Sequence, residues 1–256
     1  MPGISSLQLG SIFPRLFPGL PVDLPADDLS WFAHRGWKLS DDHFVYDLFI
    51  FINDFVIRDN LSSELAAQGI TINNCAPGAQ FERLLDFEEK HFGAYPGWVE
   101  KYQALRESDD IADAIVAFVP PPPTNGAGAN AAAATDVGEI LGAVLIFSPA
   151  GNNQISKDIP WPKVIGDRIG GLGFVGVNRS SLPTPCKACW RRANTAYSVA
   201  DYRSLGVRKG LIVAAILELK QRGLRGCFID WADDIDTYTK LGFKEWGKYR
   251  EAWRKI

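Results

Sequence analysis

Short apolar runs alternate with amphipathic stretches along this chain, and their order predicts its elements. Residues 45–53 (VYDLFIFIN) are rich in aromatic and β-branched side chains and predict a buried strand. The same reasoning gives strands at 70–76 (ITINNCA), 114–119 (AIVAFV), 139–148 (EILGAVLIFS), 171–178 (GLGFVGVN) and around 228–231 (FIDW). Helices are predicted where apolar positions recur every three or four residues. Phe81, Leu84, Leu85, Glu88 and Phe92 fall on one stripe of a helix from Ala79 to Phe92, with a second helix at 96–106. A longer amphipathic helix follows Gly206, and a short one leads to Leu241, Gly242 and Phe243. Near the start, Asp27 and Asp28 open a short helix that Gly36 ends.

Three stretches break the alternation. Residues 12–25 (IFPRLFPGLPVDLP) are punctuated by prolines and predict an extended segment. Residues 120–136 are low in complexity and predict a loop between two antiparallel strands. Residues 151–169 are expected to be loop, and 179–201 an insertion made basic by Arg179, Lys187, Arg191 and Arg192. Strands and helices mixed in this way place the chain in the α/β class, of the α+β type. One internal echo stands out. Trp31–Lys38 and Thr237–Lys244 both run from a short helix through a glycine and an aromatic into a strand.

Composition narrows the function more than the fold. A net charge of -3 offers no general attraction to nucleic acid or to an anionic membrane, so any polyanion site must be local. No segment reaches the roughly 18 to 20 apolar residues of a membrane span, and the first twenty residues lack a basic opening and an unbroken apolar run. The expected location is cytoplasmic. Cys186 and Cys189 form a lone C-x-x-C with no second pair beside it, and His34, His43 and His91 are distant in sequence, so no metal is expected. Cys75 and Cys227 lie in apolar runs and are expected to be reduced core thiols.

The chemistry concentrates in the last third. An apolar strand is followed by a turn, Arg203-Ser204-Leu205-Gly206-Val207-Arg208, then by Lys209, Gly210 and an amphipathic helix. Gly206 lets the backbone approach an anion closely, and the helix start offers free N–H groups and the positive end of its dipole. Arg203 and Lys209 can neutralise phosphate charge. This turn, with the FIDW strand and the YTKLGF helix (residues 237–243 with Thr237 and Tyr238), resembles the GNAT acyltransferases, which move an acyl group from coenzyme A to an amine.

The resemblance implies a GNAT fold, with a central mixed sheet splayed between its fourth and fifth strands and flanked by helices. Residues 70–256 would form the acetyltransferase domain, and 1–69 an N-terminal segment resembling the C-terminal half of such a unit. It implies that Phe174, Val175, Gly176 and Val177 lie along the pantetheine arm of acetyl-CoA. Arg203, Leu205, Gly206, Val207, Arg208, Lys209 and Gly210 would hold its phosphates. Arg208 departs from the pattern, which asks for Gly or Ala there. Tyr238 matches the tyrosine that serves the thioester sulfur in many members. Asp230 would serve the amine, and Trp231 could stack on a sugar ring. Plain structural roles also fit these two, a helix cap for Asp230 and core packing for Trp231.

The opening residues 13–48 (FPRLFPGLPVDLP, WFAHRGWKL and VYDL) together with CFIDW and YTKLGFKEW resemble a fungal and bacterial GNAT subgroup associated with bacterial-type β-N-acetylhexosaminidases. That association implies an amino sugar acceptor such as glucosamine, with no metal, no nucleic acid and no membrane, and is compatible with a homodimer. Two other readings stay open, namely a peptide or protein amine as acceptor, and a chain that binds coenzyme A without turnover.

Overall fold

The structure, a computed structural model, describes residues 5–119 except 12, 56, 58 and 59, together with 138–178 and 206–256. Among these, strands β1 (Ser6–Gln8), β2 (Leu20–Pro21), β3 (Lys38–Phe51), β4 (Thr71–Asn74), β5 (Ala114–Val119), β6 (Glu139–Phe147), β7 (Ile169–Val177), β8 (Gly226–Ala232) and β9 (Lys244–Lys255) form one mixed sheet. Its order is β1-β9-β3-β8-β7-β6-β5-β4, with β2 also on β9. Every pairing is antiparallel except β7 with β8. The strands predicted at 114–119 and 139–148 and the helix from Ala79 to Phe92 are found essentially where the pattern put them.

Helices cover both faces. On one, α2 (Leu61–Ala67), α7 (Val207–Gln221) and α8 (Ile235–Thr239) pack Leu65, Leu211, Ile216 and Tyr238 onto Leu172, Val175, Val177 and Ile229. On the other, α3 (Ala79–Phe92) and α4 (Trp98–Ser108) pack Phe81, Leu84, Phe92 and Trp98 onto Val116, Leu145 and Phe174. Helix α1 (Ala26–His34) has no buried residue and only leads into β3. Residues 151–169, expected to be loop, contain two short helices, α5 (Ile155–Asp158) and α6 (Trp161–Ile165). They form because Asn153 caps the first, its Oδ1 accepting the Ser156 N–H at 3.1 Å, and Pro162 fits the first turn of the second.

Several pairings shift register, and two of these bulges, on β7 and β8, fall side by side in the sheet. Between the pairs Ala143↔Gly176 and Leu145↔Gly173, Phe174 and Val175 on β7 oppose one residue of β6. Between Tyr46↔Ala232 and Leu48↔Ile229, Asp230 and Trp231 on β8 oppose Asp47 of β3. Phe174 and Trp231 hold φ of 52° and 54°, in the left-handed region that bulky residues avoid. Such conformations persist only where the surroundings impose them. For Phe174, the Tyr102 hydroxyl donates to its carbonyl at 2.7 Å, and Trp98 meets its ring edge-on with centroids 5.3 Å apart. Tyr102 also interacts with the fully buried Glu88, which accepts the Trp98 Nε1–H at 2.7 Å. Burial pushes the Glu88 carboxyl up to about 8, partly offset by the Trp98 and Tyr102 contacts.

Two outcomes follow from this packing. A Cβ at Gly171 would meet the Phe147 ring and lie 2.6 Å from the Phe228 carbonyl oxygen. Gly171→Ala should therefore cost about 1–3 kcal/mol by urea denaturation, the usual range for overpacking. Glu88 holds its proton more tightly folded than unfolded, so its contribution to stability is full below roughly pH 4 and is lost as pH rises toward about 8. Glu88→Gln should flatten that decline, and unfolding midpoints measured at pH 5 and pH 8 will show it.

Candidate active site

The parallel pair β7/β8 is registered from Ile169↔Gly226 to Leu172↔Ile229 and no further. Beyond it, Gly173–Val177 and Asp230–Ala232 have each other's backbone on neither side, because the two bulges turn both strands apart. A gap between parallel strands exposes unpaired N–H and C=O groups along an edge, which an extended ligand can pair with as a strand would. Phe174, Val175, Gly176 and Val177 lie on this edge, and the Val175 and Val177 side chains are buried in the core. At Gly176 an added Cβ would sit 2.6 Å from the Phe92 ring, so that glycine is fixed by packing.

Helix α7 begins beside the gap. Gly206 caps it with φ 76°, and its carbonyl accepts the Gly210 N–H at 2.8 Å. Val207 is fully buried. Among the described residues the helix start carries no side-chain cap, and its first N–H groups point out of the helix end as a ligand site would need. Gly210 points inward, where a Cβ would come within 2.6 Å of Leu65 and 2.8 Å of Ile72. Lys209 is partly exposed on the same turn. Arg203 and Leu205 lie outside the described residues, as do 120–136, 179–201 and Cys186 and Cys189.

Arg208 reaches across to α8. Its Nη1 donates to Asp234 Oδ2 at 2.7 Å, and its Cζ stands 5.5 Å from the centre of the Tyr238 ring. Its Nε and Nη2 are buried, and the guanidinium interacts with the Tyr238 hydroxyl. Asp234 caps α8 through the Thr237 hydroxyl at 2.9 Å and the Thr237 N–H at 3.4 Å. Burial works to raise its carboxyl, but Thr237 and Arg208 together hold it below the usual carboxylate range. The cap position thus belongs to Asp234, and Asp230 is freed for another role. Tyr238 is 2% exposed and packs edge-on against Phe243. Burial raises its phenol, with Arg208 pulling the other way, so the hydroxyl keeps its proton at neutral pH.

The opposite face of the gap is less legible in the sequence. Asp230 pairs with Arg15 of the N-terminal segment, whose Nε donates to Oδ2 at 3.0 Å and whose Nη2 makes a second contact to the same oxygen. Both side chains are about 5% exposed or less. The guanidinium carbon lies 4.2 Å from the Phe13 ring centre and 4.5 Å from that of Trp231. Phe13 in turn faces Phe174 at 6.0 Å. The Trp231 N–H, left out of the ladder by the bulge, donates to Asp47 Oδ1 at 3.2 Å, and the Tyr249 hydroxyl donates to Oδ2 at 2.9 Å. Burial first, and then the Asp230 charge, push the Asp47 carboxyl well above its ordinary range. Arg15, Asp47 and Tyr249 were not singled out from the sequence. The available signals were a lone basic residue in the first 33 positions and a carboxylate inside an apolar strand.

Among the described residues no group of His, Cys, Asp and Glu could hold a metal, and no helix is long and apolar enough to cross a membrane. Cys75 and Cys227 are buried free thiols, and burial pushes the Cys75 thiol up to about 12.

No protein-family model and no curated protein matches the chain. Solved structures do. One is a fungal multi-domain GH3 β-N-acetylglucosaminidase in which a GCN5-related glucosamine N-acetyltransferase region exists. It is 25% identical over 97% of this chain, with a TM-score of 0.74. Another is a GCN5-related N-acetyltransferase from Sphaerobacter thermophilus, 15% identical over 92% of the chain, with a TM-score of 0.55. The chain spans 25% of the length of the first and 58% of the second. With its splayed parallel pair and the glycine-capped helix beside it, the chain has the fold of the GCN5-related N-acetyltransferases.

Proposed function

We propose that the chain transfers an acetyl group from acetyl-CoA to a primary amine, and that the amine belongs to an amino sugar such as glucosamine. The observation that carries the coenzyme is the early end of the β7/β8 pairing at Leu172↔Ile229, which leaves an unpaired edge beside the Gly206-led start of α7. Arg208, on the first turn of that helix and near Tyr238, adds positive charge there that suits a polyanionic coenzyme. Gly206, Val207 and Lys209 would take the phosphates, with Arg203 and Leu205 completing the turn. The free edge of Phe174–Val177 would pair with the pantetheine arm. Gly210 would contribute through its place in the helix, since its Cα faces α2.

In this reading the amine, having lost its proton, attacks the thioester carbonyl carbon directly. The N–C bond forms, the C–S bond breaks, the departing sulfur takes a proton from the Tyr238 hydroxyl, and the proton that the nitrogen sheds on becoming an amide returns to the phenolate through solvent. The raised phenol suits a donor, because the proton is still present at neutral pH. Asp230 and Trp231 stand on the other strand of the gap, where an acceptor would approach. The fungal structure with its glucosamine N-acetyltransferase region supports an amino sugar as that acceptor.

The test is release of free thiol from acetyl-CoA with D-glucosamine, corrected for the protein's own cysteines. Tyr238→Phe keeps the ring that packs on Phe243 and removes the proton. It should lower kcat roughly 100-fold, the low end of what general acid catalysis supplies, with little change in the KM for acetyl-CoA. A kcat within about twofold of wild type would remove Tyr238 from the chemistry.

A further inference from the structure

We infer that Arg15 is a specificity-determining residue of the acceptor site. By pairing with Asp230 it withholds that carboxylate from polycationic amines and leaves a neutral pair suited to a hydroxylated monoamine. The inference rests on the acyl-transfer reading above, and deepens it.

The geometry is that of a built contact. The segment around Arg15 crosses the open gap from one strand to the other. Phe13 meets Phe174 on β7, and Arg15 meets Asp230 and Trp231 on β8. It is tied down at several points. The Arg15 N–H donates to the Asp158 carbonyl at 3.1 Å, and Asp158 is itself paired with Lys101. Arg15 Nη1 donates to the Gly10 carbonyl at 3.0 Å, and the Trp161 Nε1–H donates to the Leu16 carbonyl. Two aromatic rings hold the guanidinium plane between them.

The consequence for recognition is electrostatic. A buried, unpaired carboxylate beside the gap would favour the most highly charged amine available, a polyamine. Paired with Arg15, Asp230 presents no net charge, and attraction for a cation falls accordingly. Arg15 also covers one face of Trp231, so ring stacking is not free on that side. What remains is hydrogen bonding. Arg15 engages Asp230 chiefly through Oδ2, while among the described residues Oδ1 accepts only from Nε at a long 3.4 Å. That oxygen can take a hydroxyl donor.

The experiment compares kcat/KM for spermidine and for D-glucosamine, in wild type and in Arg15→Gln, alongside calorimetric titration of each amine without acetyl-CoA. Arg15→Gln should raise the spermidine-to-glucosamine ratio roughly tenfold, through a lower KM for spermidine, and tighten spermidine binding by a similar factor. Arg15→Lys keeps the charge but loses the planar fork and the ring contacts, so its ratio should fall between those of wild type and Arg15→Gln. An unchanged ratio and unchanged spermidine affinity in Arg15→Gln would overturn the inference. Should that variant not fold, Asp230→Asn tests the same pair, because an uncompensated Arg15 should weaken spermidine more than glucosamine. Equal weakening of both would count against it. If no amine releases thiol in wild type, the acyl-transfer reading fails, and the calorimetric ratio still decides the role of Arg15.

Discussion

Everything proposed for this chain depends on a parallel strand pair that stops early. β7 and β8 are held together through Leu172 and Ile229 and then released. The release is enforced by one extra residue in each strand, at Phe174 and at Trp231, each in a backbone conformation that an aromatic residue does not adopt unaided. Isolated, either bulge would cost of order 1–3 kcal/mol. Here each is held by a polar contact to its own backbone. Tyr102 takes the Phe174 carbonyl, and Asp47 takes the Trp231 N–H. The gap is therefore a rigid feature of the sheet, which a ligand need not open.

The two supporting networks share a logic. Each centres on a buried carboxyl, Glu88 on one side and Asp47 on the other, and burial raises both. A carboxyl that keeps its proton avoids most of the cost of a buried charge while still accepting hydrogen bonds. Around Asp47 this matters most, because Asp230 and Arg15 already form an ion pair nearby. Burial and the Asp230 charge both work against a second anion there, while the Trp231 N–H, the Tyr249 hydroxyl and Arg15 work to keep one.

The N-terminal segment is built into this arrangement. β3 lies between β8 and β9, and Asp47 reaches the Trp231 bulge from it. Upstream, Phe13 and Arg15 lie across the gap. The two glycine-ended helix–strand units seen as an echo in the sequence, α1 into β3 and α8 into β9, end in strands that pair antiparallel with each other. The first 51 residues thus supply a strand inside the sheet and one wall of the gap.

The alternation of elements, the glycine turn at Gly206, the helix stripe that contains Glu88 and the place of Asp230 and Trp231 at the end of a strand can all be read locally along the chain. These are legible because they rest on local periodicity and on residues whose backbone preferences are their own. Tertiary structure alone decided the rest. The helices at 155–165 are too short for periodicity to reveal. The φ of Phe174 and Trp231 opposes their local preference and is imposed by neighbours more than seventy positions away in the chain. Arg15 looks like a solitary charge in a proline-rich stretch until the sheet brings it within hydrogen-bond reach of Asp230. A contact between residues 215 positions apart leaves no periodic trace in sequence, because what selects it is the desolvation of two charges that meet only after the chain has closed.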